Sequence, residues 1–187
     1  MNDDLNYKTF LFWSNKKIII SVVQSNDLKI IYEKKKYFDE LNSTKFEYLN
    51  EFLDNNIYNI EKKINSFIKE IYLVLEIEDF FPIQISIKKN NNGNKLTFSS
   101  LGYSLNEAKE LCFKTFDEGK IIHMIIDNYL LDDNFYKTIP RDITYSQFSV
   151  SISFICMKID YIRNLEKILG NYQIKIQQII SAQYLRD

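Results

Sequence analysis

Glycine and proline are scarce in this chain, with four Gly and two Pro among 187 residues. A phosphate-binding loop needs glycines at fixed spacing so that the backbone can approach the ligand, and neither the Walker nor the dinucleotide-binding pattern occurs. Histidine occurs once, at His123, and cysteine twice, at Cys112 and Cys156. That supply is too small for a Cys/His metal site or a disulfide framework. Each cysteine sits in an apolar stretch, Leu111-Cys112-Phe113 and Ile155-Cys156-Met157, which suits buried, reduced thiols in a cytosolic protein. No apolar run approaches the ~20 residues that span a bilayer. The opening Met1-Asn2-Asp3-Asp4 has the wrong charge for a signal peptide, so the sequence reads as cytoplasmic. Charge of neither sign dominates. The 24 basic and 25 acidic residues leave a net charge of -1, without the basic excess of a nucleic-acid binder.

What is abundant is apolar and β-branched. Hydrophobic residues make up 45% of the chain, enough for one ordinary domain or two small lobes. Asn, Lys and Ile are common, as AT-rich codons produce, so polar runs carry little information. Phe10 to Trp13, Ile18 to Val23 and Leu28 to Tyr32 are short apolar runs separated by polar turns, which predicts an N-terminal strand meander. From Ser43 to about Leu75 the spacing becomes helical. Ser43 or Thr44 is the candidate N-cap, and a short helix is followed by a long one over Ile57 to Leu75. Ile83, Ile85 and Ile87 alternate with polar residues as a strand, Asn90 to Asn94 reads as a turn, and Leu96-Thr97-Phe98 as the returning partner strand. Ser104 with Glu107 predicts a capping box, Gly119 a helix stop, and residues 120–131 and 144–157 two strands. Asp160 opens a last helix that Gly170 closes, and Ile174 to Ile180 forms the last strand. The fold class is α/β (α+β), with mixed β-sheets and flanking helices.

The candidate chemistry is thin. His123 lies mid-strand in Ile121-Ile122-His123-Met124-Ile125 with no nucleophile signature to serve, so it reads as structural. Asp132 and Asp133 are adjacent carboxylates that also suit a turn, where Asp accepts local backbone hydrogen bonds. Lys34-Lys35-Lys36 before Tyr37-Phe38 reads as a solvated strand end rather than an anion contact. Tyr37, Phe38, Phe80 and Phe81 are the aromatic candidates for an interface. No catalytic, cofactor-binding or metal-ligating residue is assigned.

The segment Ile121-Ile122-His123-Met124-Ile125-Ile126-Asp127-Asn128-Tyr129-Leu130-Leu131-Asp132 resembles one from the actin-like bacterial cell-division family FtsA. Pro140 stands near where that family has Asp-Pro, and Phe148 to Cys156 resembles its next strand. Leu165 to Gly170 followed by Tyr172 to Tyr184 resembles its closing segment, and Ser104-Leu105-Asn106-Glu107-Ala108 the start of its module helix. The resemblance implies a partial actin-like (ribonuclease-H-like) lobe over residues 1–94, and an inserted strand-helix-strand-strand module with a return strand over 95–187. In that family the first strand leads into a Gly- and Asp-bearing phosphate turn. Here Phe10-Leu11-Phe12-Trp13-Ser14-Asn15-Lys16-Lys17 holds neither residue. Nothing up to Asp187 matches the family's second lobe or membrane helix.

The implied function is that of a non-catalytic FtsA-like cell-division protein without ATP or another cofactor, recruited to the division site at the inner membrane. It would act through protein contacts, with FtsZ or downstream divisome components as partners and self-association open, and with no nucleic acid and no membrane insertion. Two alternatives stand beside it: an accessory domain of an actin-like pilus-assembly or type II secretion platform protein, and an enzyme with an unrecognised site.

Overall fold

The computed structural model describes residues 7–38, 46–140 and 143–185. Ser43 and Thr44, the expected cap residues, lie outside these. The chain divides into two units, one of residues 1–79 with 160–187 and one of residues 80–159.

The first unit is a five-stranded sheet in the order β3-β2-β1-β4-β9. β1 (Tyr7–Ser14), β2 (Lys17–Gln24) and β3 (Ile30–Tyr37) form the expected antiparallel meander, and β4 (Glu70–Glu76) and β9 (Lys175–Ser181) continue it in parallel. Helices α1 (Phe46–Ile64) and α3 (Ile159–Gly170) cover one face. Trp13 of β1 meets Phe46 of α1 and Tyr161 of α3, and the Tyr172 hydroxyl, just past α3, donates to Asp54 of α1 at 2.6 Å. Leu11, Ile18, Ile20, Leu49, Ile60, Leu73 and Leu165 fill the space between.

The expected long helix through Leu75 is corrected. α1 ends at Ile64, Asn65 adopts φ +53°, and the Ser66 amide returns to the Glu61 carbonyl. Ile71 and Leu75 fit a helical spacing, but Ile71, Leu73 and Leu75 also alternate, and all three are fully buried from one face of β4. A short apolar run satisfies both periods, and sheet pairing with β1 selects the strand.

The second unit is a four-stranded sheet in the order β5-β8-β6-β7, packed on α2. Its members are β5 (Phe80–Asn90), α2 (Phe98–Thr115), β6 (Gly119–Leu131), β7 (Asn134–Tyr136) and β8 (Gln147–Lys158). Pro82 sits inside β5, which tolerates it because β5 is an edge strand. The returning strand expected at Leu96-Thr97-Phe98 is absent, and only Lys95 bridges to Thr144 there. Thr97 instead caps α2: its hydroxyl accepts the Ser100 amide at 3.1 Å, and the Ser100 hydroxyl accepts the Thr97 amide at 3.2 Å. The capping box therefore lies earlier than the expected Ser104/Glu107. Ser104 is buried within the helix, and Glu107 pairs with Lys89. The expected boundary between residues 94 and 95 falls inside this unit, since β5 pairs along its whole length with β8. α3, which the expected module over 95–187 would have included, belongs to the first unit.

Gly119 opens β6 rather than stopping a helix; Phe116 is the C-cap of α2. A Cβ on Gly119 would fall 2.0 Å from the Phe116 ring, which is held edge-on to Phe81 with centroids 4.5 Å apart. Gly119→Ala should therefore destabilise the protein by about 1–3 kcal/mol through overpacking, read by urea denaturation. Adding Gly119→Ala to Phe116→Ala should cost nothing further. An equal loss in both backgrounds would show that the ring is not the cause.

Candidate functional site

The place to look for ligand chemistry in a sheet with parallel strands is beyond their carboxyl ends. Here that end carries the β1–β2 turn. β1 and β2 pair through Trp13 and Ile18, leaving residues 14–17 to reverse the chain. The Ser14 hydroxyl is buried at the centre of this turn. It accepts the amides of Lys16 at 3.2 Å and Lys17 at 3.1 Å, and donates to the Lys17 carbonyl at 3.2 Å. The Lys16 carbonyl accepts the Phe38 amide at 2.8 Å. The amides that a phosphate would need are thus already bonded to a side chain of the turn itself. The Lys17 ammonium lies 5.1 Å from the centroid of the Phe12 ring.

A cavity of about 590 Å³ opens beside this turn at the ends of β4 and β9, lined by Asn15, Glu76, Glu78, Ser181 and Gln183 among others. The two charged side chains in its lining, Glu76 and Glu78, are both carboxylates. It can offer hydrogen-bond acceptors and amides to a neutral or cationic group. No cluster of three or more His, Cys, Asp or Glu suited to a metal occurs among the described residues.

The other residues weighed in the sequence are scattered. His123 is half-buried in β6, opposite Ile155, where the register shifts after Ile121. Burial holds its imidazole below the ordinary value. Asp132 and Asp133 are the turn residues of the β6–β7 hairpin, with φ +41° and +70°. The Asp132 carboxylate accepts the Ser146 amide at 2.9 Å and the Gln147 amide at 2.8 Å, which ties the hairpin to the start of β8. Lys34, Lys35 and Lys36 lie within β3, an edge strand, with Lys35 paired to Glu33 and Lys36 to Glu51 of α1. Cationic side chains on an edge discourage pairing with a foreign strand.

Cys112 of α2 and Cys156 of β8 are both buried, with their sulfurs 3.9 Å apart. Burial and the neighbouring thiol push Cys156 up to about 12, which keeps it protonated and unreactive at neutral pH. Of the four aromatic candidates, Tyr37 is exposed. Phe38 is half-buried against Tyr48, Phe81 against Phe116, and Phe80 is half-buried. The most exposed aromatic side chain of the first unit is one the sequence reading missed, Phe67, with Tyr58 close behind. Phe67 lay hidden inside the expected long helix.

No helix among the described residues is long and apolar enough to cross a membrane. No protein-family model matches the chain, and no curated protein sequence matches it. Solved structures do. The chain is similar to one in a PilM-PilN type IV pilus biogenesis complex, with a TM-score of 0.59, 8% identity, and coverage of 95% of this chain and 48% of that one. It is also similar to the cytoplasmic domain of EpsL, an inner-membrane component of the type II secretion system of Vibrio cholerae (TM-score 0.47, 9% identity, 94% and 57% covered). A third is a Bacteroides thetaiotaomicron protein with an actin-like ATPase fold and unknown function (TM-score 0.41, 15% identity, 97% and 55% covered). The chain spans about half the length of the solved chains it matches. The fold is mixed α/β, with the four-stranded unit of residues 80–159 inserted in sequence within the five-stranded one, and it is similar in fold to the solved chain from the PilM-PilN complex.

Proposed function

We propose that this chain is a non-catalytic actin-like component that works by holding other proteins in an assembly of the pilus-biogenesis or type II secretion kind, and that it does so without binding ATP. The observation that carries the second half is the Ser14 hydroxyl bonded to the Lys16 and Lys17 amides, beside a cavity whose charged lining is Glu76 and Glu78. A triphosphate there would have to displace an internal hydrogen-bond network and approach two carboxylates. The first half draws on the fold likeness to a chain taken from the PilM-PilN complex. A division role is the second reading. It rests on the likeness of residues 121–132 to an FtsA segment, which the fold sets along β6 and into the β6–β7 hairpin.

Titration calorimetry with ATP and magnesium should give no binding tighter than about 1 mM. Micromolar affinity would overturn the non-nucleotide reading. A tagged chain purified from its source cells should carry pilus or secretion components. Recovery of division proteins in their place would favour the second reading, and recovery of neither set would count against both.

A further inference from the structure

Cys112 and Cys156 are the only two cysteines of the chain, and the fold of the second unit sets them side by side. Their sulfurs lie 3.9 Å apart where α2 packs on β8, although 44 positions separate them in sequence. Both are almost fully buried, at 1% and 2% exposure. Cys156 stands opposite Phe81 of β5 and Ile121 of β6, within the apolar core that also holds Ala108 and Phe154.

Burial raises both thiols above their ordinary values, so neither ionises readily in the closed chain. The product of joining them carries no such cost. A disulfide is uncharged and needs no hydrogen-bond partner, so an apolar core accepts it. The barrier is therefore one of access, and α2 shows where access arises. The helix buries one side chain per turn, Leu101, Ser104, Ala108 and Cys112, and three of the four are small. Leu111 and Phe113, on either side of Cys112, are exposed. Cys112 lies in the last turn, which is closed by the Phe116 amide donating to its carbonyl at 3.0 Å and the Thr115 hydroxyl donating to the Leu111 carbonyl at 2.8 Å. A helix end held by so few and such small contacts opens ahead of the core strands.

We infer that Cys112 and Cys156 form an oxidative modification site, at which a small disulfide such as oxidised glutathione converts the two thiols into a bond that staples the end of α2 to β8. When the last turn opens, Cys112 loses its proton to solvent and its thiolate attacks one sulfur of the small disulfide. One small thiol leaves, and Cys112 holds a mixed disulfide. While the turn is still open, Cys156 loses its proton and attacks the Cys112 sulfur, and the second small thiol leaves. The two protein thiols are oxidised, the small disulfide is reduced to two thiols, and no other reactant is needed. As the turn closes, the bond of about 2 Å takes the place of the thiol contact at 3.9 Å. The staple is a property of the chain alone and needs no assembly partner.

The test is to incubate the reduced full chain with oxidised glutathione at mildly alkaline pH, block the remaining thiols under denaturing conditions and weigh the product. Both thiols should disappear together, in a monomer lighter by two hydrogens and without a lasting glutathione adduct. Oxidation should raise the melting temperature by about 5 °C or more, and dithiothreitol should reverse the gain. Lys114 is exposed in the same last turn, so Lys114→Gly should weaken that turn without touching the core and speed oxidation about fivefold. Cys156→Ala should stop at the glutathione adduct of Cys112, with no gain in melting temperature. Two free thiols after a treatment that fully oxidises the urea-unfolded chain, a stable adduct on the unsubstituted chain, or disulfide-linked dimers would each overturn the site. So would an oxidised chain that melts below the reduced one. An unchanged rate in Lys114→Gly would overturn the route through the end of α2.

Discussion

Trp13→Ala should destabilise the first unit by about 3–5 kcal/mol, the range for truncating a large buried aromatic. Trp13 is 1% exposed near the carboxyl end of β1, between Ile18 of β2 and Leu75 of β4. Its ring lies 5.5 Å from that of Phe46 and 6.3 Å from that of Tyr161, which are themselves 5.0 Å apart. The truncation therefore opens a cavity where the sheet, α1 and α3 meet, and two aromatic neighbours lose their partner at once. Rings held in sheet and helix cannot collapse into that space, so the cost belongs at the upper part of the range. Urea denaturation followed by far-UV circular dichroism reads the effect, and hydrogen exchange should place it in β1, β4 and α1. A loss below about 1 kcal/mol would mean that the three rings do not form the keystone of this core.

Phe154→Ala is the counterpart in the second unit, with an expected loss of about 3–5 kcal/mol. Phe154 is fully buried on β8, the strand flanked by β5 and β6, opposite Ile83 and Met124. It shares a core with Val150, Ile152, Cys156 and the α2 residues Leu101, Ala108 and Cys112, all from the same unit. Hydrogen exchange should place the loss in β5, β6 and β8. Phe154→Leu, which keeps most of the volume, should cost much less, about 1.5 kcal/mol or under. A Leu variant as damaged as the Ala variant would mean that ring shape rather than volume decides the packing.

Much of the fold was legible from residue order because local signals were strong. The alternating run from Ile83 to Ile87 and the apolar runs of the meander each meant one thing, and the paired aspartates at 132 and 133 suited a turn better than a site. The structure places them as β5, β1–β3 and a tight hairpin turn. The signals that failed were ambiguous in a physical sense. Ile68 to Leu75 fits a helix and a strand alike. Thr97 is a good strand residue and a good cap, and Ser100 three residues later stands where a glutamate would have announced the box. Gly119 looks like any helix stop until the Phe116 ring is seen against it.

The candidate site was half legible. The absence of Gly and Asp around Ser14 could be read directly, but the Ser14 hydroxyl closing over the turn amides could not. Nor could the approach of Cys112 to Cys156, which the packing of α2 on β8 brings about.

Residue order alone determined the periodicities, the turns and the lack of any phosphate-binding motif, because each depends on neighbours a few positions apart. Tertiary structure decided which unit claims α3, that residues 70–76 pair as a strand with β1 and β9, and which aromatics reach solvent. Those outcomes depend on contacts between residues far apart in the chain, such as Phe10 with Tyr72, Tyr172 with Asp54 and Trp13 with Tyr161. Local sequence carries no term for them.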